Sequence, residues 1–383
     1  MNKKNIVVVG GGTGNHTTLS GLRARDCNLT AVVAMTDSGG SSGRLRDELG
    51  HLPPGDLRRC LMALAEDGEA SNLMRRLFDY RFATGDGLNG HNFGNLLLAA
   101  LTEVTGDTIT AIEQASRILG IKGAVLPVTL TKSALCARLV DGSELAGEST
   151  IDLRNEGLDV AIDYIYLDPK AYVYPPVLDA IACADVIVLG PGDIYTSVLP
   201  NLLVEDVAQA VNESSAVKIH VCNLMTKPNE SAGFRTSNFL ALLTEYLGTR
   251  QPLDFLLVNS TPIPPRLLAR YAADGQYPVV LDEAESLTMA GRIIRRPLLA
   301  PGVFVRHDPA ALANAIMEIA AACPAAHADA DRSPLVLDCD DFTPPLLSAV
   351  QYEASARLSA VPPPLTDDPG ATLTVHSSDP DSG

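Results

Sequence analysis

Cysteine pairs with metal-binding spacing are missing from this sequence. Its seven cysteines are scattered over 383 residues, and no two of them form a Cys-x-x-Cys pair. An odd number of cysteines at these spacings argues against both a zinc site and a disulfide framework. We therefore predict no cysteine-bound metal and a reducing, cytoplasmic location.

Long hydrophobic runs are missing as well. The apolar segment 6–9 follows only two lysines and leads directly into a glycine turn, which is typical of a strand rather than of a signal peptide. No apolar run approaches the length of about 20 residues that crosses a membrane. We expect no membrane span.

Positive charge is scarce. The chain has 29 Lys and Arg against 46 Asp and Glu, which gives a formal net charge of −17. Because extended DNA or RNA binds to a basic face, we expect no nucleic-acid partner. A nucleotide stays compatible with this charge, since a few local donors are enough to hold one.

The hydrophobic pattern indicates an α/β fold, because short β-rich runs alternate with longer helical stretches. Most of the strand candidates are continuous apolar runs, as expected for parallel strands that are covered on both faces. The predicted strands are 5–10, 30–36, 185–190, 217–222 and 254–259.

Three segments depart from this alternation. Residues 56–120 are mostly helical, and residues 121–175 form a small β-rich insertion with a hairpin near Asp141-Gly142. From residue 325 onward the chain has nine Asp, one Glu, two Arg and no Lys. We assign residues 1–325 to one nucleotide-binding domain and predict that the acidic, proline-rich tail 326–383 is largely disordered.

A glycine-rich turn follows the first predicted strand. Its candidate ligand-binding residues are Gly10, Gly11, Gly12, Thr13 and Gly14. Glycine lets the backbone approach a phosphate, and the following helix adds its positive end. The spacing does not match G-x-G-x-x-G, and no G-x-x-x-x-G-K-[ST] occurs, so a tight strand–helix turn without a ligand stays an alternative.

A second turn of this kind follows the strand 30–36. Asp37 can hold a ribose hydroxyl or a metal ion, and Arg44 can neutralise a phosphate. Ser41 can donate to a phosphate, or it can cap the next helix. The candidates are Thr36, Asp37, Ser38, Gly39, Gly40, Ser41, Ser42, Gly43 and Arg44.

Two further segments carry small polar residues. A helix start offers His91, Asn92 and Asn95, and a third strand–glycine junction offers Gly190, Pro191, Gly192, Asp193, Thr196 and Ser197. Ligands in open α/β sheets bind at the carboxyl ends of the strands, so three such junctions favour a nucleotide site. Two residues receive structural explanations here: Asp56 as a helix N-cap, and Lys227 as part of a solvated loop.

Eight ordered segments between residue 5 and about residue 310 resemble one known family. They include GGGTG, TDSGGSSGRLRDELG, PPGDLRRCLMAL, GHNFGNLLLAALTEVTGD, GESTID, ADVIVLGPGDIYTSVLPNLL and VCNLMTKP. Together they resemble the CofD-like family and, within it, the gluconeogenesis factor (YvcK) branch, which is related to 2-phospho-L-lactate transferase.

This resemblance implies a Rossmann-like, mostly parallel sheet whose glycine turns hold a nucleotide. It implies a UDP-sugar ligand of the UDP-N-acetylglucosamine type and a role in cell shape and wall synthesis during gluconeogenic growth. By rough alignment, Tyr271 and Arg306 resemble the tyrosine and arginine that this branch uses for the UDP-sugar, and Asn223 is a further candidate for that ligand. The related transferases move a phosphate-linked group from a nucleoside diphosphate donor to a hydroxyl, with magnesium.

Ser38 stands where many family members have a second aspartate, which makes magnesium-dependent transfer less favoured here. Asp193 stands where a small polar residue is common. We rank a UDP-sugar-binding regulator that requires no cofactor above a transferase, for which Asp37 would be the catalytic residue and Mg²⁺ the cofactor. A dinucleotide-binding domain without turnover is a third reading. Homo-oligomers and protein partners of the acidic tail are left open.

Overall fold

The structure is a computed structural model that describes residues 3–154, 160–249 and 253–323. The side chains of residues 69–71 are not described. The predicted tail 326–383 lies outside the described residues. No helix in the described ranges is long and apolar enough to cross a membrane.

Ten strands form two sheets in the described part of the chain. They are β1 (Lys4–Gly10), β2 (Cys27–Val33), β3 (Ala124–Pro127), β4 (Ala134–Leu139), β5 (Glu144–Ala146), β6 (Ile162–Asp168), β7 (Val186–Leu189), β8 (Val217–Val221), β9 (Leu253–Asn259) and β10 (Ala290–Arg296). Seven strands form a parallel sheet in the order β10-β9-β8-β7-β1-β2-β3, and the other three form an antiparallel sheet in the order β5-β4-β6. The predicted Rossmann-like α/β class is confirmed.

Helices surround the larger sheet. They are α1 (Gly12–Leu22), α2 (Gly40–Leu49), α3 (Gly55–Leu64), α4 (Glu69–Asp79), α5 (Phe93–Thr105), α6 (Thr108–Leu119), α7 (Glu148–Asp152), α8 (Pro175–Ala182), α9 (Leu199–Leu202), α10 (Val207–Glu213), α11 (Thr236–Leu247), α12 (Pro265–Ala273), α13 (Glu283–Ser286) and α14 (Pro309–Ala322). A π-helical turn, Ile194–Val198, precedes α9.

The order of the strands creates a topological switch point between β1 and β7. The chain moves outward from β1 through β2 to β3, and later outward from β7 to β10 on the other side. Ile6 of β1 pairs with Leu29 of β2 and with Val186 of β7. Crevices that hold ligands open at such a point, outside the carboxyl ends of the strands.

The core lies on both faces of this sheet. Consecutive residues Val7, Val8 and Val9 of β1 are all buried, so the strand is covered on both sides. This explains why the predicted strands were continuous apolar runs. The edge strand β10 was not predicted, because Arg292, Arg295 and Arg296 are exposed and interrupt its apolar pattern.

The β-rich insertion is narrower than the predicted range 121–175. Its antiparallel sheet occupies residues 134–168, with the turn at Asp141-Gly142. The strand β3 falls inside the predicted range but pairs with β2 in the parallel sheet. The sequence of a four-residue apolar strand does not indicate whether the strand joins the parallel or the antiparallel sheet. The helix α7 follows β5 and belongs to the insertion.

Helix α1 packs closely on the start of α14, and Gly21 makes that contact. A Cβ atom at Gly21 would overlap the carbonyl oxygen of Pro309. We expect Gly21→Ala to lower the free energy of unfolding by about 1–3 kcal/mol, because backbone atoms cannot move aside as a flexible side chain can. Urea denaturation measures this loss.

The matched control is Ser20→Ala, one residue away on the same helix. Its free energy of unfolding should stay within about 0.5 kcal/mol of the wild-type value. Equal stability of Gly21→Ala and the wild type would show that α1 and α14 do not pack this closely.

Candidate functional site

A cavity of about 370 Å³ opens at the switch point between β1 and β7. Its wall combines the loops after β1, β2 and β7, the start of α3, and α7 of the insertion. The lining residues are Gly11, Gly12, Thr13, Gly14, Asp37, Gly39, Gly40, Ser41, Ser42, Gly55, Asp56, Arg58, Arg59, Arg81, Asn95, Glu148, Ser149, Asp152, Leu153, Gly192, Asp193, Thr196 and Ser197. The three predicted glycine junctions therefore meet in one place.

Three helices begin at this cavity without an acceptor side chain at their N-caps. The N-cap residues are Gly11 for α1, Gly39 for α2 and Pro54 for α3. The neighbouring helices α5 and α6 differ, since Asn92 caps α5 and Asp107 caps α6 through side-chain oxygens. The cavity thus collects first-turn N–H groups, which favour an anionic ligand.

Two of the glycines in the first turn are required by close contacts. A Cβ atom at Gly14 would overlap the carbonyl oxygen of Pro191, so the first and third junctions touch through their backbones. A Cβ atom at Gly11 would meet the Asp56 carboxylate. A larger residue at Gly14 would displace the Pro191 carbonyl, and a larger residue at Gly11 would displace the Asp56 carboxylate from the cavity.

The second turn is held by side chains from the start of α5. The Ser41 hydroxyl lies 3.2 Å from His91 Nδ1 and accepts from the Asn92 N–H at 3.2 Å. Asn95 Nδ2 donates to the Ser42 hydroxyl at 3.2 Å. The predicted polar segment 91–95 therefore contacts the second turn, but His91 and Asn92 lie behind the cavity wall.

The buried side chain of Glu230 holds the loop after β7 in place. Glu230 accepts hydrogen bonds from the Tyr195 N–H at 2.9 Å and from the Thr196 hydroxyl at 2.8 Å. Asn223, at the end of β8, donates from Nδ2 to the carbonyl oxygen of Gly192 at 2.9 Å. These contacts orient the third junction toward the cavity.

Several predicted residues lie outside the cavity lining. Arg44 is exposed and donates to the Asn89 carbonyl oxygen at 2.9 Å, and Ser38 accepts from the Ser149 N–H at 2.9 Å. The residues of the three junctions that do not line it are Gly10, Thr36, Ser38, Gly43, Arg44, Gly190 and Pro191. Their roles in ligand binding stay predictions.

Tyr271 and Arg306 form a separate group beyond this cavity. The Tyr271 hydroxyl accepts from the Val305 N–H at 3.0 Å, and the Arg306 guanidinium lies 5.3 Å from the centre of the Phe304 ring. Arg306 is exposed. The predicted contact of both residues with a UDP-sugar stays a prediction.

Three arginines line the cavity although sequence reasoning did not select them. Arg58 is buried and donates to Asn95 Oδ1 at 3.0 Å, while Arg81 donates to the Gly90 carbonyl oxygen at 2.7 Å. The Arg59 side chain is 42% exposed, and its Nη1 lies 3.4 Å from Asp56 Oδ1. Arg59 therefore combines access to the cavity with a positive charge. Residues three apart on a helix lie side by side, so the sequence could have predicted that Arg59 lies next to Asp56.

Asp56 is not the helix cap that the sequence suggested. The helix α3 begins one residue earlier, at Gly55, and the Gly12 N–H bonds to the Asp56 carboxylate. Burial, together with the neighbouring charge of Asp37, raises the pKa of Asp56 to about 6. Burial and the same Asp37 raise the pKa of Glu148 to about 7. Asp56 and Glu148, from separate segments, are thus both close enough to Asp37 in the cavity to feel its charge.

One known protein family matches most of this chain. Residues 6–299 match the profile of the family described as 2-phospho-L-lactate transferase CofD. The chain belongs to the CofD family. Its relatives include the gluconeogenesis factors of Halalkalibacterium halodurans, 40% identical over 83% of this chain and 97% of that one, and of Bacillus subtilis, 37% identical over 83% and 98%. The predicted resemblance to the gluconeogenesis factor branch is confirmed.

Solved structures agree with the fold. The crystal structure of a Bacillus halodurans protein matches with a TM-score of 0.77 at 39% identity. The match covers 82% of this CofD-family chain and all of the other. The identity and the coverage together extend the likeness to the part of the chain that carries the cavity.

Asp37 and Asp56 are the residues of this CofD-family site that could hold a hard cation. Asp37 is half-buried beside Asp56, and oxygen ligands of this kind suit Mg²⁺. Burial is the larger cause of the raised pKa of Asp56, and a divalent ion would relieve the second cause, the repulsion by Asp37. Asp56 supplies the second carboxylate that Ser38 lacks, so the serine does not by itself argue against a metal.

The buried Asp56 predicts a pH dependence of stability. Because its pKa in the folded state lies above the ordinary value of 3.8, the folded protein keeps a proton that the unfolded chain releases. This stabilising contribution is present below pH 4 and is lost as the pH rises through about 6. Relative to the wild type, Asp56→Asn should therefore gain about 1–3 kcal/mol of unfolding free energy between pH 4 and pH 8.

Urea denaturation at both pH values measures the difference. Parallel stability profiles for the variant and the wild type would contradict a raised pKa of Asp56 in the folded protein.

Proposed function

We propose that this CofD-family chain binds a UDP-sugar of the UDP-N-acetylglucosamine type in the cavity at the switch point. In this proposal it acts in the cytoplasm as a regulator that supports cell shape and wall synthesis during gluconeogenic growth. The names of its relatives support the link to gluconeogenesis. The binding chemistry is supported by the residues of the cavity.

The observation that carries the proposal is the meeting of three helix N-termini in one cavity. The N-caps Gly11, Gly39 and Pro54 offer no acceptor side chain, so first-turn N–H groups can bind a diphosphate. Arg59 adds a cation beside them. The carboxylates of Asp37 and Glu148 can accept hydrogen bonds from sugar hydroxyls, which a nucleotide-sugar supplies and inorganic diphosphate does not.

Removal of the Arg59 guanidinium, one of the three that line the cavity, should weaken binding. We expect Arg59→Ala to lower the affinity for UDP-N-acetylglucosamine about 10- to 100-fold, because a hydrogen bond to a charged group contributes about 1.5–3 kcal/mol. Isothermal titration calorimetry measures this change. Arg76→Ala is the control, since Arg76 is exposed on α4 and outside the cavity lining.

The same titrations separate two placements of the phosphate. If it lies at the cavity, Arg44→Ala should retain affinity within about threefold, because the Arg44 side chain bonds to Asn89. A larger loss for Arg44→Ala than for Arg59→Ala would favour the placement inferred from sequence. If the titrations detect no heat of binding for any UDP-sugar, with or without Mg²⁺, the proposed ligand is refuted.

A second candidate function is transfer of a phosphate-linked group to a hydroxyl acceptor. The observation that favours it is the carboxylate group formed by Asp37, Asp56 and Glu148. Asp37 would accept the proton of the acceptor hydroxyl, whose oxygen then attacks phosphorus while the nucleoside monophosphate leaves. Arg59 and the first-turn N–H groups would stabilise the charge on the transferred phosphate. A bound Mg²⁺ would supply further charge neutralisation.

Asp37→Asn distinguishes the two functions. For a regulator, we expect binding of UDP-N-acetylglucosamine to stay within about threefold of the wild type, because Asn retains an oxygen acceptor. For a transferase, loss of the base should lower turnover by about 10²–10⁴-fold. The measurement combines calorimetry with detection of released nucleoside monophosphate. Turnover in the wild type that Asp37→Asn abolishes would refute a purely regulatory role.

A further inference from the structure

Lys227 lies among three carboxylates that come from three separate segments. Its ammonium contacts Asp152, lies 2.6 Å from Asp193 Oδ2 and lies 3.4 Å from Glu230 Oε1. The Lys227 side chain is 25% exposed, and that of Glu230 is 1% exposed. The solvated loop expected for Lys227 from the sequence is therefore wrong.

Each partner of Lys227 belongs to a different wall of the cavity. Asp152 ends α7 of the insertion, and Asp193 precedes the π-helical turn of the third junction; both line the cavity. Glu230 fixes the first residues of that turn through their N–H groups. Asn229 adds a hydrogen bond from Nδ2 to the Asp152 carbonyl oxygen. The loop that carries Lys227 therefore joins α7 to the third junction.

Burial and the nearby charge of Asp193 raise the pKa of Glu230 to about 8, and the Lys227 ammonium opposes this rise. Carboxylate oxygens of Asp152, Asp193 and Glu230 all lie within 4.8 Å of one another. Burial alone would lower the pKa of Lys227, but the negative charges of Glu230, Asp193 and Asp152 outweigh burial and raise it. The side chain is therefore charged throughout the neutral range. Its ammonium takes the place that a metal ion would have among three such oxygens.

We propose that Lys227 is an internal cation that positions α7 and the third glycine junction as adjoining walls of the ligand cavity. It is a positioning residue rather than a ligand contact, because its ammonium is already surrounded by three carboxylates. The effect on ligand affinity rests on the proposed function. The effect on the arrangement of α7 does not.

Hydrogen exchange of the full-length protein tests the positioning role directly. Lys227→Met removes the ammonium that joins Asp152 to Asp193 and Glu230, so the amides of Glu148–Asp152 should exchange at least about tenfold faster than in the wild type. Amides of β1 and β7 should be unchanged, which also shows that the variant folds. Lys227→Arg keeps the charge and should restore most of the protection.

The matched control is Lys170→Met, which removes an ammonium from an exposed pair with Glu205. Exchange at α7 should be unchanged in this variant. Unchanged exchange at α7 in Lys227→Met would overturn the proposal. So would an equal increase in Lys170→Met, since a general loss of charge would then explain the effect.

Calcium ions test whether Lys227 stands in for a cation. Millimolar Ca²⁺ should slow exchange at α7 in Lys227→Met, because the three carboxylates are then free to bind it. The protection should disappear in the double variant Asp193→Asn/Lys227→Met, which lacks one ligand. Absence of calcium protection in Lys227→Met, or its persistence in the double variant, would overturn the internal-cation assignment.

Calorimetry with UDP-N-acetylglucosamine tests the consequence for binding. Lys227→Met should lose at least about tenfold in affinity, and Lys227→Arg should recover most of it. Wild-type affinity in Lys227→Met, despite faster exchange at α7, would overturn the positioning role for the ligand. If the wild type binds no UDP-sugar, the proposed function fails, and hydrogen exchange alone decides whether Lys227 positions α7.

Discussion

The contact between the first and third glycine junctions is the constraint on which the cavity depends. Gly14 in the first turn of α1 lies so close to the Pro191 carbonyl oxygen that a side chain there would overlap it. This approach brings the loop after β7 next to the loop after β1, although the two are separated by about half the chain. The positive ends of α1 and α2 face the same edge of the sheet, because each of these two helices follows the carboxyl end of a strand.

Opposed charges share the small space that this contact creates. Helix N-termini and Arg59 favour an anion, whereas Asp37, Asp56 and Glu148 repel one. A nucleotide-sugar resolves the conflict when its diphosphate faces the N–H groups and its hydroxyls face the carboxylates. A cation bound by the carboxylates would neutralise their charge, so that they no longer repel an anion, and would prepare the site for group transfer. The glycine turns are compatible with both nucleotide-sugar binding and group transfer, so the three carboxylates determine which of the two the site performs.

Sequence reasoning located what depends on local pattern. The continuous apolar strands and the glycine turns after them predicted the parallel sheet and the position of the cavity, since parallel strand ends share one edge. It did not locate what depends on long-range packing. Arg44 follows a glycine turn and yet bonds to Asn89, while Arg59 reaches the cavity from α3. Likewise, β10 was missed because an edge strand with exposed arginines lacks an apolar run.

The insertion shows most clearly why one wall of the cavity could not be predicted. Its helix α7 supplies Glu148 and Asp152, but only distant partners bring them there: Ser38 bonds to Ser149, and Lys227 contacts Asp152. Neither pairing has a periodic signal, because each joins a residue of α7 to a loop residue more than 70 positions away in the sequence. A cavity with one wall on the sheet and one on an insertion can therefore change its ligand chemistry through the insertion alone. The sheet and its glycine turns would stay as they are.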